Sequence, residues 1–299
     1  VKGYRNFLNK IWNANNFLIQ NECNFSDVNK PKNINANVNK WIITEFLIVK
    51  ENIKKNINDY RFDEAAKNVY QFVWHSFCDW YLELSKTIYF SDNQSSKDET
   101  RAVSAYVFRE ILILLHPFIP FITEEVWLKN KLDKNSKDYL MFANWAANEA
   151  TTDKSHVEVN KIIDFITSIR SFKNELGVPP GSLIEVSLEK TNNEIKNFFD
   201  LNKIILMKLG RIKNISYKDL NKSSASLILD GEQFKIYFEE DVNLNRVKDT
   251  LQKKLDKLNK EINKINQRLT NKNFFEKAPT ELIDKEKTNF NNLEKDVKK

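Results

Sequence analysis

The apolar residues near the end of the chain recur at alternating intervals of four and three residues. This spacing returns one side chain per turn to the same side of a helix and is the pattern of a coiled-coil seam. Apolar residues beyond Pro279 keep the same frame, so residues 242–299 predict an antiparallel hairpin of two helices that bends at 271–279. Such a hairpin has little core of its own and is expected to project as an arm. The seam of its first helix consists of Leu251, Leu255, Leu258, Ile262, Ile265 and Leu269.

The first half of the chain predicts long helices, because residues that interrupt helices are scarce. Only 5 glycines and 6 prolines occur in 299 residues, whereas glycine alone averages about 7% of residues in proteins. Apolar residues with a helical period indicate amphipathic helices, with a loop at 91–100 where Ser, Asp and Asn cluster. Several long antiparallel helices of this kind form an α-helical bundle. The helices are predicted at 2–21, 36–59, 63–90 and 100–116.

Single residues in this half predict where helices begin and which side they bury. Asp63 is the candidate N-cap of the third helix. The segment 116–121 contains two prolines and breaks the fourth helix, after which Thr123 is the candidate N-cap of a short helix. One apolar stripe of the first helix is predicted to face the bundle. This stripe comprises Tyr4, Leu8, Ile11, Trp12, Leu18 and Ile19.

A smaller unit of mixed structure is predicted after a polar crossing at 133–153. Its pattern indicates a helix at 157–176, a turn at 178–181 and a second helix at 193–209. Short runs rich in β-branched and aromatic residues predict strands around the second helix. The strands are predicted at 183–188, 211–217, 225–230 and 233–239.

These patterns predict three domains in a mainly α fold. They are a helical bundle over 1–153, a small α+β unit over 154–241 and the coiled-coil arm over 242–299. The formal net charge of +6 is confined to the arm, because residues 1–243 hold 32 basic and 32 acidic residues, whereas residues 244–299 hold 15 and 9. A neutral body with a basic arm indicates a polyanionic partner.

Four lysines of the arm form one stripe along its first helix. Lys253, Lys257, Lys260 and Lys264 follow each other at intervals of four, three and four residues. Such a stripe matches the phosphates of a nucleic-acid backbone, and binding through it would depend strongly on salt. The alternative is a solvated helix that is rich in lysine for solubility.

The sequence contains no motif of a self-sufficient enzyme. Cys23 and Cys78 are too few for a four-ligand zinc site, and the three histidines lie at no metal-ligand spacing. Asp79 and Glu83 are four residues apart and could form an acid–base pair, but structural hydrogen bonding is the stronger interpretation. We expect neither a metal site nor a catalytic site, and no apolar run is long enough to span a membrane.

The polar side of the first helix is a candidate RNA-binding face. Asn9, Lys10 and Asn13 lie there, and Phe17 follows Asn13 by one turn. An aromatic ring among amides and an ammonium group offers an unstacked base both a stacking face and hydrogen-bonding partners. The alternative is that Phe17 packs against a neighbouring segment of the protein.

Five segments together resemble a known family. The segments that recur there are the opening at 3–14, the run Phe77–Glu83 (FCDWYLE), the proline-kinked run Leu115–Trp127, the region 169–181 with its Ile169-Arg170 and Val-Pro-Pro-Gly motifs, and the residues around 274–279. They resemble the C-terminal part of the valyl-tRNA synthetase (valine–tRNA ligase) family of the bacterial type. The resemblance covers essentially the whole chain. The Cys-Asp-Trp-Tyr run and the arm are specific to it, whereas the proline-kinked run indicates only class I synthetases.

The resemblance implies a class I anticodon-binding bundle and an arm that braces the elbow of the tRNA. It places anticodon contacts on the first helix, which supports Asn9, Lys10, Asn13 and Phe17 and adds Arg5 as a phosphate contact. The two ATP-binding signatures and the editing domain of the family are absent from the chain. It is therefore expected to be a fragment that is inactive alone and holds no cofactor, whereas the intact enzyme would use ATP and magnesium.

The partners that the resemblance implies are a valine-accepting tRNA and the missing N-terminal catalytic and editing domains. We also expect a cytoplasmic monomer. Two alternatives stay open. One is a fragment of an isoleucyl or leucyl enzyme, although the isoleucyl type usually ends in a cysteine zinc site that this chain lacks. The other is a helical scaffold whose arm binds protein, although no second apolar seam runs between Arg246 and Thr270.

Overall fold

A computed structural model describes most of the chain and divides it into two compact units. The first unit covers 1–163 and the second covers 164–299. A continuous helix from Ser155 to Glu175 contributes residues to both. The division into three domains stays a prediction. The described residues are 2–25, 28–130, 139–145, 155–189, 191–239, 244–271 and 279–298.

The first unit is a helical bundle. Its third helix, the π-helix that follows and its fourth helix form one continuous rod, because the residues at their junctions keep right-handed helical dihedral angles. Contacts between Phe7 and Tyr70 and between Phe17 and Tyr89 show that the first helix runs alongside this rod in the same direction. The elements are α1 (Lys2–Gln20), α2 (Asn37–Asn58), α3 (Phe62–Gln71), the π-helix (Phe72–Tyr81), α4 (Leu82–Tyr89), α5 (Gln94–Leu115), α6 (Pro120–Lys129), a 3₁₀ turn (Leu140–Phe142) and the start of α7 (Ser155–Glu175).

Three predicted helix starts in this unit are wrong. The predicted loop at 91–100 is mostly helical, because the side chain of Asn93 accepts a hydrogen bond from the Ser96 amide and starts α5 at Gln94. Helix α3 begins at Phe62, one residue before Asp63, and no side-chain hydrogen bond caps it. Thr123 does not cap α6, since its buried hydroxyl donates to the backbone oxygens of Ile119 and Pro120, both at 3.0 Å.

The buried stripe of α1 is displaced from the predicted one. Tyr4 and Ile19 are 75% and 44% exposed, so their predicted burial is wrong. The bundle instead takes up Phe7, because its ring packs against Tyr70 and Trp74 with centroid distances of 4.7 and 6.3 Å. The residues of α1 that are fully buried are Phe7, Ile11, Ala14, Asn15 and Leu18.

A chain of hydrogen bonds crosses the interior of this bundle. Tyr81 donates to Asn39 at 3.1 Å, and the Ser104 hydroxyl lies 2.9 Å from that of Tyr81 and 2.8 Å from that of Tyr89. Since Tyr81 has one hydroxyl hydrogen, Ser104 must donate to Tyr81 and Tyr89 to Ser104. The thiol of Cys23 lies 3.6 Å from the Tyr89 oxygen and then acts as the first donor. Burial raises the pKa of both tyrosines, which therefore stay neutral.

The second unit combines helices with a small sheet. In the part of the chain that the structure describes, four strands pair in the order β2-β1-β4-β3, with β1 parallel to β2 and the other pairs antiparallel. The predicted helix at 193–209 is two helices, because the chain turns out of helical geometry at Asn202. The elements are β1 (Ile184–Ser187), α8 (Asn193–Leu201), α9 (Lys203–Gly210), β2 (Ile212–Ser216), β3 (Ala225–Leu229) and β4 (Glu232–Phe238).

The second unit also contains the predicted arm, which is formed by α10 (Leu244–Leu269) and α11 (Thr280–Lys298). Ile265 and Ile283 are buried on the seam, and Arg268 pairs with Glu286 at 3.2 Å, as expected for an antiparallel hairpin. At its base, Val247 packs against Leu176 and Val178. These elements confirm the mainly α fold class, while most of the predicted bend lies outside the described residues.

Within the described ranges, no helix is both long enough and apolar enough to cross a membrane.

The start of α2 depends on a carboxylate from α5, and this dependence can be tested. The Glu99 carboxylate accepts from the amides of Asn35 and Ala36 at 2.9 and 3.0 Å and from the Asn39 side chain at 2.8 Å. Partial burial raises the pKa of Glu99, but these three hydrogen bonds outweigh it and hold the pKa below its usual range. The variant Glu99→Gln should lose about 1 to 2 kcal/mol of unfolding free energy at pH 7, as for a lost cap. Urea denaturation measures the loss.

The pH dependence distinguishes this bond from general packing. A carboxylate whose pKa is lowered by folding stabilises the protein above its unfolded pKa of about 4.3, and that stabilisation disappears as pH falls through the folded value. The difference between the natural chain and Glu99→Gln should therefore shrink below about pH 4. A difference that stays constant down to pH 3 would contradict a charged cap. Glu51→Gln, on the exposed side of α2, serves as control.

Candidate nucleic-acid interface

All five residues predicted to contact an anticodon lie on α1, but they differ in what surrounds them. Arg5, Asn9 and Asn13 are exposed to solvent, whereas Lys10 and Phe17 are half-buried against the rod of α3, the π-helix and α4. The exposed three lie on the side of α1 that faces away from the bundle core. The structure therefore brings two of the predicted residues into contact with a neighbouring element and leaves three free to meet a ligand.

The ammonium group of Lys10 is held between a ring and a carboxylate. Its Nζ lies 2.5 Å from Oδ1 of Asp79 and 3.9 Å from the centroid of the Trp74 ring. The second oxygen of Asp79 lies 3.2 Å from Nδ1 of His75. Asp79 consequently balances most of the charge of Lys10, and Asp79 and Trp74 together hold its ammonium group in position. Whether it contacts RNA stays a prediction.

The π-helix explains how one lysine reaches both partners. Trp74 and Asp79 are five residues apart, and a π-helix closes hydrogen bonds between residues at that separation, so both side chains lie on the same side. In an α-helix a step of five residues would rotate Asp79 well away from Trp74. The wider turn thus creates the surface against which α1 rests. Such turns occur frequently at functional sites.

Phe17 packs against the end of α4. Its ring centroid lies 6.2 Å from that of Tyr89, and Nζ of Lys86 lies 5.5 Å from it. Lys86 is in turn paired with Glu83 at 2.6 Å. The predicted stack between Phe17 and an unpaired base stays a prediction. A base that stacks on Phe17 would have to use the part of the Phe17 ring that α4 leaves exposed.

Sequence reasoning did not foresee the partners of Asp79, Glu83 and Trp74. The two carboxylates do not form an acid–base pair, because each binds a lysine, Lys10 and Lys86 respectively. Structural hydrogen bonding was the stronger expectation, and it describes both. The available signal was the run Phe77–Glu83, which carries the family resemblance but does not reveal its partners on α1.

A cavity of about 720 Å³ opens at the beginning of α1. Its wall is largely apolar, and its charged side chains are Asp63 and Lys67. No arrangement of nucleophile and base is present among these lining residues. The cavity is lined chiefly by Tyr4, Phe7, Val69, Tyr70, Phe118 and Ile119.

On the arm, the four predicted lysines are all exposed along α10. Lys253, Lys257, Lys260 and Lys264 lie on the solvent side, and among the described residues none of them forms an ion pair. The seam residues of the same helix are more buried, with Ile265 only 7% exposed. The stripe can therefore approach a row of phosphates without first breaking other interactions. The contact between these four lysines and RNA stays a prediction.

Two family models match the chain. The first, described as the anticodon-binding domain of tRNA ligase, matches residues 39–188. The second, described as the valyl tRNA synthetase tRNA binding arm, matches residues 243–299. Helix α1 precedes the first match, whereas the lysine stripe of α10 lies inside the second.

Several relatives are similar over nearly the whole chain. The valine–tRNA ligase of Pelagibacter ubique is 57% identical over 299 residues, which are 100% of this chain and 34% of that protein. The valine–tRNA ligase of Mesorhizobium japonicum is 34% identical over 289 residues, which are 96% of this chain and 31% of that protein. The chain thus spans about a third of the length of the curated relatives it matches. The comparisons confirm the resemblance seen in the sequence and do not favour an isoleucyl or leucyl enzyme or a protein-binding scaffold.

Proposed function

The chain belongs to the tRNA ligase family through its anticodon-binding domain, and from this membership we propose that it is the tRNA-binding C-terminal part of a valine–tRNA ligase. The observation that carries the proposal is the presence in one chain of both the anticodon-binding domain and the valyl tRNA binding arm. The bundle would bind the anticodon stem and loop, and the arm would brace the elbow of the same tRNA.

The polar side of α1 supports recognition of a single-stranded loop. Unpaired bases are recognised by stacking and by hydrogen bonds to their edges, which require an aromatic face and amide groups. Asn9 and Asn13 offer amides, Phe17 offers the ring, and Arg5 offers a guanidinium for a phosphate. Lys10 adds a donor whose direction is set by Asp79 and Trp74.

The chemistry of aminoacylation belongs, in this proposal, to the rest of the longer protein. There, a catalytic domain would attach valine with ATP and magnesium, and an editing domain would hydrolyse mischarged tRNA. The protein would act in the cytoplasm as a monomer. Within the described ranges, no three His, Cys, Asp or Glu side chains are grouped so that they could hold a metal ion.

The proposal predicts that the chain of 299 residues binds valine-accepting tRNA more tightly than an unrelated tRNA. Affinities measured by filter binding over a salt series should fall steeply with salt for both, because phosphate contacts dominate. A preference that persists at each salt concentration supports reading of the anticodon. Equal, weak binding would contradict anticodon recognition by this chain, and absence of binding at low salt would contradict the tRNA role.

The variant Phe17→Ala should weaken binding of the valine tRNA by about 1 to 3 kcal/mol, which is typical for one lost stack between a base and an aromatic side chain. Binding of the unrelated tRNA should hardly change. Phe17→Leu retains apolar packing against Tyr89 but lacks the aromatic face, so it should show a comparable loss. Phe121→Ala, which removes a 91% exposed ring on α6, is the matched control. An equal loss for both tRNAs would refute the stacking role.

Replacing Lys253, Lys257, Lys260 and Lys264 together by glutamine should weaken the binding of both tRNAs to the same extent, since phosphates carry no sequence information. The slope of log affinity against log salt should become shallower by about 3, as expected for four lost phosphate contacts. Replacing the same four residues by arginine preserves the charge and should preserve the slope. A slope that is unchanged in the glutamine variant would show that the stripe does not meet phosphates.

A further inference from the structure

Three basic side chains meet at the carboxyl end of α9, within the second unit. Nη2 of Arg170 donates to the backbone oxygen of Leu209 at 3.1 Å. Nζ of Lys173 donates to the backbone oxygens of Ser182 at 2.8 Å and Gly210 at 3.3 Å. Arg211 follows Gly210 directly. The cluster joins the motif around Ile169-Arg170 and the Val-Pro-Pro-Gly turn to the end of α9.

Two members of this cluster, Lys173 and Arg211, have no anionic partner among the described residues. Lys173 is 2% exposed, yet the partners of its ammonium group are neutral carbonyl oxygens. Burial, together with the neighbouring positive charges of Arg211 and Arg170, lowers the pKa of Lys173 to about 8. Among the described residues, no carboxylate forms an ion pair with Lys173 or Arg211. The end of a helix supplies only about half a negative charge.

Arg211 occupies a backbone conformation that normally favours glycine. Its φ is +53°, in the left-handed region at the end of α9. Glycine is the usual residue at this position of a helix end, because a Cβ atom is strained there. The glycine of this segment is Gly210, one residue earlier, where a Cβ atom would lie only 2.9 Å from Cδ1 of Ile212 and would clash with it. The arginine is thus held in a strained conformation, and its side chain is exposed to solvent.

A purely structural role explains two members of the cluster but not the third. Arg170 and Lys173 hydrogen-bond the last carbonyl oxygens of α9, which stabilises a helix end. In the described part of the chain, no hydrogen bond is formed by the Arg211 guanidinium. A guanidinium presents parallel donors that match two oxygens of a phosphate.

We propose that Arg211, at the helix end that Arg170 and Lys173 hydrogen-bond, forms a further tRNA contact that binds a phosphate of the RNA backbone. The inference rests on the proposed function, because an RNA partner supplies the phosphate. Inorganic phosphate shares the same chemistry, and the test must separate the two sources. The site lies at the end of α9 in the second unit, and it shares no residue with the polar side of α1 or with the lysine stripe of α10.

The decisive variant is Arg211→Gly, because it removes the charge and relieves the backbone strain at once. Its stability in urea should equal or exceed that of the natural chain. Its affinity for valine tRNA should fall about threefold to tenfold at low salt, and the salt slope should become shallower by about 1. Arg211→Lys preserves the charge and should preserve the slope.

Two variants control for the two changes in Arg211→Gly. Asn221→Gly relieves a similar positive φ of 52° in the same unit without changing charge. Lys222→Gln removes one exposed positive charge that already faces Glu185 at 3.5 Å. Neither should change the salt slope. Calorimetric titration of the natural chain and of Arg211→Gly with inorganic phosphate tests whether the free anion binds at Arg211.

Each result decides the inference. If the natural chain binds tRNA and Arg211→Gly binds it equally with the same slope, the phosphate site is wrong and the proposed function stands. If Arg211→Gly loses stability together with affinity, Arg211 is structural and the site is again wrong. If inorganic phosphate binds at Arg211 while tRNA affinity is unaffected, the site serves a free anion. If the natural chain binds no tRNA, the proposed function fails and the inference fails with it.

Discussion

Ser104 lies completely buried between two tyrosine hydroxyls, and the hydrogen bonds that run through it join five segments of the bundle. They lead from Cys23, after α1, through Tyr89 on α4 to Ser104 on α5, and on through Tyr81 in the π-helix to Asn39 on α2. A buried polar group that loses its partner is strongly unfavourable. These segments can therefore adopt few relative positions, and sliding one helix by a turn would leave several groups unsatisfied.

This constraint places the rod of α3, the π-helix and α4 along α1. Phe7 packs near one end of the contact and Phe17 near the other, and Lys10 lies between them against Trp74 and Asp79. The buried side of α1 is thereby anchored at three places, and the opposite side is presented to solvent as a stiff row of polar groups. A rigid row of donors loses little conformational entropy when it meets a ligand. That is an advantage for a surface proposed to recognise a flexible RNA loop.

The long helices of the bundle and the arm were predictable because their apolar residues repeat over many turns. The repeat in α10 and the period in α2 and α5 are strong signals of this kind. Predictions were wrong where one residue decided the outcome. Asn93 starts α5 six residues before the expected position by accepting a single hydrogen bond. Tyr4 and Ile19 fit the apolar stripe of α1, yet they are exposed because the bundle takes up Phe7 at the helix start.

The sequence by itself determined the helical architecture, the seam of the arm and the uneven charge, since these follow from local spacing and residue type. Its motifs also carried the resemblance to the family. The sequence also predicted residues of α1 as RNA contacts. Only the tertiary structure decided that Lys10 faces Asp79 and that Arg170, Lys173 and Arg211 meet at one helix end. Lys10 and Asp79 are 69 positions apart in the sequence. Such contacts depend on how helices pack, and packing responds to the shape of the whole core rather than to any local pattern.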